Sequence, residues 1–305
     1  MSTDILTSKR GSAGSAPAAP AAGSAVAARP RETSRASIDA QDYKYLQDYV
    51  YRESGIVLDA DKQYLLEARL LPIVRREGLG TIADLCGLLR GIQGQKLRRD
   101  VVEAMTTNET LFFREPAQYE ALRTTIIPKL VETRGATRRL NFWSAAASSG
   151  QEAYSLAIMV LEMGLRDWNI QILGTDLNEK VLERARDGRY LQIEVNRGLP
   201  IAHLLKYFHR QGLDWQIRDE VRRMVHWQRF DLRQSMMHKG PFDVVFCRNV
   251  LIYFDTETKK KILSNIRAAL GKGGYLLLGG AETALHLDGQ FQRIEVGGAV
   301  LYQVN

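Results

Sequence analysis

Several residues of this chain could do chemistry, and their spacing says where each would sit. Between Ser144 and Gly150 the stretch SAAASSG carries no bulky side chain, so its backbone can come close to a ligand. It follows a short apolar run (Leu140, Phe142, Trp143) and precedes Ala153, Leu156, Ala157, Val160 and Leu161 at helical spacing. That is the pattern of strand, tight turn and helix, in which the helix N-terminus offers unpaired N–H groups to a nucleotide-like cofactor. Without a GxGxxG fingerprint the same pattern also arises from tight packing alone. Asp176 ends a second apolar run, NIQILGTD, where an acid can accept from ribose hydroxyls. It could instead cap the helix that follows, with Asn178 as a competitor for that job. Arg114 follows Phe112 and Phe113 and precedes Glu115. Adjacent aromatics read as core, and the guanidinium either orients an anionic reactant or forms an ion pair on a linker. Tyr253, in CRNVLIYF, reads by itself as a half-buried tyrosine at a strand end.

The elements that must position these residues fall into two groups. Residues 38–105 have helical periodicity throughout: Tyr45, Leu46, Tyr49 and Val50 share one face before Gly55, and Leu65, Leu66, Leu70, Ile73 and Val74 repeat the pattern before Gly78. TIADLCGLLRG and QKLRRDVVEAMTTN supply two shorter helices. From 106 to 305 strands alternate with helices, which predicts a mostly parallel sheet covered on both faces. FQRIEVGGAVLYQV ends the chain as a hairpin turning at Gly297-Gly298. Between 200 and 230 a polar stretch contains YFHRQGLDWQIRDEV, where Leu213, Trp215 and Ile217 alternate with polar residues as a strand should.

Composition narrows the function classes. At 305 residues, 45% hydrophobic and 25% charged, the chain can bury one sizeable core and a smaller one. No apolar run approaches the roughly 20 residues of a membrane span, and residues 1–37, rich in Ala, Pro, Ser and Gly, lack the core of a signal peptide and read as a disordered tail. A cytoplasmic location is expected. Cys86 and Cys247 lie far apart and the histidines are scattered, so neither a disulfide framework nor a metal site is suggested. The net charge of +7 divides as +3 for residues 1–37, −1 for 38–105 and +5 for 106–305, which is not a uniformly basic nucleic-acid surface. Within the helical part, residues 62–99 hold eight Lys or Arg against three acids. This local cation cluster either docks an acidic partner or is a solvated helix face.

Four ordered stretches, TTNETLFFRE (106–115), WSAAASSGQEAYSLA (143–157), GTDLNEKVLERAR (174–186) and FDVVFCRNVLIYFD (242–255), resemble the chemotaxis receptor methyltransferases of the CheR family. The resemblance runs from about 38 to 303. It implies a small all-α domain (38–105) before an α/β, Rossmann-like domain that binds S-adenosylmethionine (106–305), with a C-terminal β-hairpin and a small inserted β-subdomain at about 200–230. The implied reaction moves the cofactor's methyl group onto glutamate carboxylates of chemoreceptor helices and leaves S-adenosylhomocysteine. The implied cofactor contacts are Asn108, Thr110, Arg114, Glu152, Asp176 on the ribose, Asp231 and Leu232 beside the adenine, and Asn249 and Val250 beneath the sulfonium. Arg114 and Tyr253 are the expected catalytic pair, with Arg69, Arg75 and Arg76 docking the receptor. Many relatives carry Asn at the position of Asp231, and Gln151 and Ala153 stand where Glu and Pro are common. A monomer is expected, with no nucleic-acid partner, no metal and no membrane insertion. The rival readings are an S-adenosylmethionine enzyme acting on nucleic acid and a catalytically silent adaptor. With only Gly212 in the loop of the inserted subdomain, action independent of a receptor C-terminal pentapeptide is expected.

Overall fold

The computed structural model describes residues 38–91 and 95–305; the tail expected over 1–37 lies outside them. The helical part comprises α1 (Ala40–Ser54), α2 (Gln63–Arg76), α3 (Ile82–Arg90) and α4 (Gln95–Met105). Local chemistry sets their ends. Asp39 accepts from Asp42 N at 2.8 Å to cap α1, Gly55 closes it in the left-handed region at φ 79, and Thr81 and Asp84 form a capping box on α3. Leu46, Val50, Leu66, Leu70, Leu85 and Val101 bury the shared apolar faces. Tyr45, expected on the buried face of α1, is only half-buried and lies under the Arg90 guanidinium at 4.2 Å.

After the crossing segment 106–115 come α5 (Pro116–Ala121), a π-helical turn (Leu122–Ile126) and α6 (Ile127–Thr133). The sheet then begins: β1 (Arg139–Ala145), α7 (Gln151–Glu162), β2 (Asn169–Asp176) and α8 (Glu179–Asp187). An insertion follows, with β3 (Arg189–Tyr190), α9 (Gln192–Val195), α10 (Ile201–Tyr207), β4 (Phe208–Gln211) and β5 (Asp214–Ile217). The chain returns through α11 (Asp219–Arg222), β6 (Val225–Arg229), β7 (Phe242–Cys247), α12 (Thr256–Ala269), β8 (Leu270–Leu278), β9 (Phe291–Val296) and β10 (Ala299–Val304).

The seven-stranded sheet has the order β6-β2-β1-β7-β8-β10-β9. Its strands are parallel from β6 to β8, and β10 runs antiparallel to both β8 and β9. Period-two alternation along β1 explains the layering: Phe142 packs in the core with Leu156 of α7, and Trp143 packs on the other face with Ile262 of α12. Strand order reverses between β1 and β7, the place where open α/β sheets bind ligands. There Ala145 is in register with both Thr175 and Cys247, so three strand tips converge. The final hairpin turns at Gly297 and Gly298, φ 57 and 79, as its sequence requires.

The small sheet differs from the expectation in extent. Its order is β3-β5-β4, so it starts at Arg189, while β6 belongs to the large sheet. Leu213 lies in the turn, 84% exposed, whereas Gln216 is buried and donates to the carbonyl of Asp187 at 2.6 Å. A buried amide that satisfies backbone defeats simple alternation.

Candidate active site

The turn after β1 is built on left-handed backbone, with Ala146 at φ 62, Ser148 at φ 51 and Gly150 at φ 97. Non-glycine residues there carry strain that their surroundings must offset. Ala147 N donates to the carbonyl of Thr175 at 2.8 Å, and Ser148 N donates to Asp176 Oδ2 at 2.9 Å. Asn178 takes the helix-capping job, accepting from Lys180 N at 3.0 Å, and its own N–H donates to Asp176 Oδ1 at 2.9 Å. Asp176 is thereby held at the strand tip, 7% exposed. Burial pushes its carboxyl above the usual range, and the backbone donors at Asn178 and Ser148 oppose that.

Glu152 stands on the first turn of α7. Ser144 Oγ donates to its Oε1 at 2.7 Å and Arg248 Nη1 to its Oε2 at 3.1 Å. Burial pushes the Glu152 carboxyl up, with Arg248 pulling against it. Arg248 escaped the sequence reading. It also pairs with Glu115 Oε2 at 3.3 Å and donates to the carbonyl of Arg114, so it joins the floor to the crossing segment. Its signal was present: FDVVFC is an apolar strand, and an arginine directly after it is buried with 1% side-chain exposure.

Arg114 is set by two strained neighbours, Phe113 at φ 48 and Glu115 at φ 59. Phe113 N donates to Ser155 Oγ at 2.9 Å and Gly280 N donates to Glu115 Oε1 at 3.1 Å. Among the described residues the Arg114 guanidinium makes one long contact, 3.4 Å to the carbonyl of Glu109. Phe112 is fully buried against the edges of Tyr190 and Phe208, as a core aromatic should be, while Phe113 is half-buried. The Asn108 carbonyl accepts from Ser148 Oγ at 2.8 Å, which lays the TTNET stretch across the strand tips.

The opposite wall brings the helical part into the site. Val57 N donates to the carbonyl of Tyr253 at 2.9 Å, and Ile56 bridges Phe254. Asp231 is engaged by Arg233, whose Nη2 lies 2.6 Å from Oδ2, and the same guanidinium donates to the carbonyls of Arg52 and Glu53 at the end of α1. An aspartate here thus anchors an arginine that caps a helix C-terminus. Arg69 reaches the carbonyl of Met105 at 2.6 Å and Thr107 Oγ1 at 3.0 Å. Burial lowers its guanidinium, and Tyr253 is close enough to oppose this. Arg69 therefore braces the crossing segment. Arg76 pairs with Glu77 at 2.8 Å and with Asp100, and Arg75 is exposed.

One cleft of about 930 Å³, its mouth included, is lined by Asn108, Thr110, Arg114, Glu152, Asp176, Asp231, Leu232, Asn249, Val250 and Tyr253. Ser54 and Ile56 also line it, and no periodicity in the helical part announced them. The lining fits S-adenosylmethionine. Buried Asp176 offers acceptors for a ribose, Phe230 and Leu232 offer apolar surface beside a carboxylate, and Arg248, which also lines the cleft, has its Nε buried without a partner among the described residues.

Two family profiles match in succession, "CheR methyltransferase, all-alpha domain" over residues 41–106 and "CheR methyltransferase, SAM binding domain" over 108–299. Chemotaxis protein methyltransferase 1 of Pseudomonas aeruginosa is 37% identical over 270 residues, 86% of this chain and 97% of that protein. Chemotaxis protein methyltransferase Cher2 of Pseudomonas putida is 36% identical over 268 residues, 86% and 97% of the two chains. Among solved structures, the glycopeptide N-methyltransferase MtfA complexed with (S)-adenosyl-L-methionine is similar over 66% of this chain and 71% of that one, at a TM-score of 0.32 and 17% identity, too distant to bear on function. The two profiles and the full-length relatives agree with the cleft: the chain belongs to the CheR family of S-adenosylmethionine-dependent methyltransferases.

Proposed function

We propose that this enzyme esterifies glutamate carboxylates on the cytoplasmic helices of chemoreceptors. The observation that carries the reading is Arg114. Its guanidinium lines the cleft, is held by strained backbone on both sides, and among the described residues has only a 3.4 Å contact with a carbonyl. A guanidinium so placed is suited to a carboxylate, which it can meet with two parallel N–H donors.

When bound, the cofactor supplies a methyl group activated on a sulfonium. In this reading Asp176 holds the ribose, Asp231 and Leu232 flank the adenine, Asn108, Thr110 and Glu152 orient the amino-acid end, and Asn249 and Val250 form the floor. Arg114 and Tyr253 position the acceptor carboxylate. A glutamate is already ionised near neutral pH, so these residues need to align and desolvate it and need not remove a proton. The test is transfer of radiolabel from S-adenosylmethionine to receptor-containing membranes, with RNA and DNA as parallel acceptors. Label released by mild alkali marks a methyl ester; alkali-stable label, or label on nucleic acid, would overturn the assignment.

We further propose that docking needs no C-terminal receptor tether. The turn joining β4 and β5 consists of Gly212 and Leu213, which leaves little loop to guide an extended peptide onto the edge of the small sheet. Calorimetric titration with a receptor C-terminal pentapeptide should show no binding. Micromolar affinity, about 8 kcal/mol, would end this part of the reading.

A further inference from the structure

Glu282, in the segment after β8, takes no part in the site as built so far. Its Oε1 accepts from Val250 N at 2.9 Å, Leu251 N at 2.7 Å and Ile252 N at 3.3 Å, and its Oε2 from Asn249 N at 2.7 Å and Gly279 N at 2.8 Å. Among the described residues these hydrogen bonds all come from backbone N–H groups. The donors belong to the loop that supplies the floor of the cleft and leads into the short 3₁₀ turn Leu251–Tyr253. Asn249 is in the left-handed region at φ 57, and a Cβ on Gly279 would come within 2.4 Å of the Asn249 amide. The loop thus has one tightly specified shape, and the carboxylate is its template. Glu282 lines the neighbouring cavity beside Glu115, and two of the residues it holds, Asn249 and Val250, line the cleft.

We propose that Glu282 is a positioning residue with two effects: it fixes the loop that presents Tyr253, and its negative charge beneath the floor biases the cleft toward the cationic cofactor over the neutral product. The second effect rests on the reading that Asn249 and Val250 line the S-adenosylmethionine site. Hydrogen bonds from N–H groups satisfy a carboxylate without cancelling its charge, and because Glu282 is half-buried that charge is only partly screened by water over the few ångströms to the loop it holds. A sulfonium gains from it. A thioether does not.

The experiment is calorimetric titration of S-adenosylmethionine and of S-adenosylhomocysteine into the full chain and into Glu282→Gln, Glu282→Ala and Glu282→Asp, with thermal melting of each unliganded protein. The two neutral variants should lose about tenfold in affinity for the methyl donor relative to the product, about 1.4 kcal/mol. Glu282→Asp keeps the charge with a shorter reach. It should retain the wild-type ratio of the two affinities while kcat for methyl transfer falls, because the loop carrying Tyr253 is no longer held in place. An equal loss for both ligands in the neutral variants, or unchanged affinities, would overturn the electrostatic role. If wild type binds neither ligand, the assignment of the cleft fails first and the proposal falls with it.

Discussion

Arg114 and Arg248 lie close together in the site and show how differently two arginines can be used. Arg248 is committed to Glu152, Glu115 and a carbonyl, and removing it would strand the buried Glu152 carboxylate. Arg114 has one long contact, so its truncation should leave folding nearly untouched. Arg114→Ala is expected to lower kcat by roughly 10²-fold, the cost of a misaligned reactant. Its melting temperature should stay within about 2 °C of wild type. Initial rates and thermal melts on the same preparation check both. A wild-type rate would remove Arg114 from catalysis, and a collapse in melting temperature would make it structural.

Glycines at close approaches decide how the elements fit. A Cβ on Gly174 of β2 would lie 2.3 Å from the Trp227 ring of the paired strand β6, and that ring already packs on Tyr154 at 5.4 Å. Gly174→Ala is therefore expected to cost about 1–3 kcal/mol by overpacking. Gly87→Ala, in α3 with open space around it, should be neutral or mildly stabilising through better helix propensity. Differential scanning calorimetry of the pair separates packing from propensity. The elements were largely legible in the sequence because their signals are local: a short apolar run marked β1, helical spacing marked α1 to α4 with Gly55 and Gly78 as stops, and paired glycines marked the last turn. The small sheet was less legible. Gln216 reads as a solvent-facing polar residue until one sees the carbonyls of Asp187 and Gly188 that it serves. The bracing contacts of Arg69 were not legible for a similar reason, since a cation on a helix reads as surface until its carbonyl partners, 36 and 37 residues away, are in view. Ser54 and Ile56 enter the cleft through a bridge to Phe254, a contact that no spacing within α1 encodes.

At the scale of the whole molecule, charge joins the helical part to the sheet. Buried Asp100 of α4 pairs with Arg76 and, at 2.8 Å, with Lys180 of α8. Burial alone would raise its carboxyl, but Lys180 and Arg76 outweigh that and hold it below the ordinary value. A carboxyl depressed in the folded state adds stability that is fully present above its unfolded value of about 3.9 and is lost as pH falls through the folded value. Asp100→Asn should then cost about 1–2 kcal/mol at pH 7, discounted because both cations are half-exposed. The gap in melting temperature from wild type should close below about pH 4. A gap independent of pH would mean the loss is packing. The cation cluster should also divide in two. Arg75→Glu is expected to weaken receptor methylation in a salt-sensitive way without changing cofactor affinity. Arg69→Glu, which cuts the brace on Met105 and Thr107, should weaken cofactor binding as well. Equal effects of the two on calorimetric cofactor affinity would refute the division. The hydrogen bond from Val57 to the carbonyl of Tyr253 has a bearing on protein engineering. A chimera that takes its helical part from one family member and its sheet from another would replace the support of the tyrosine together with Arg75 and the other cations expected to dock the receptor. Altered receptor preference in such a hybrid would arrive tied to altered turnover, and recombination would have to keep the segment from Tyr51 to Val57 with the catalytic body to separate the two traits.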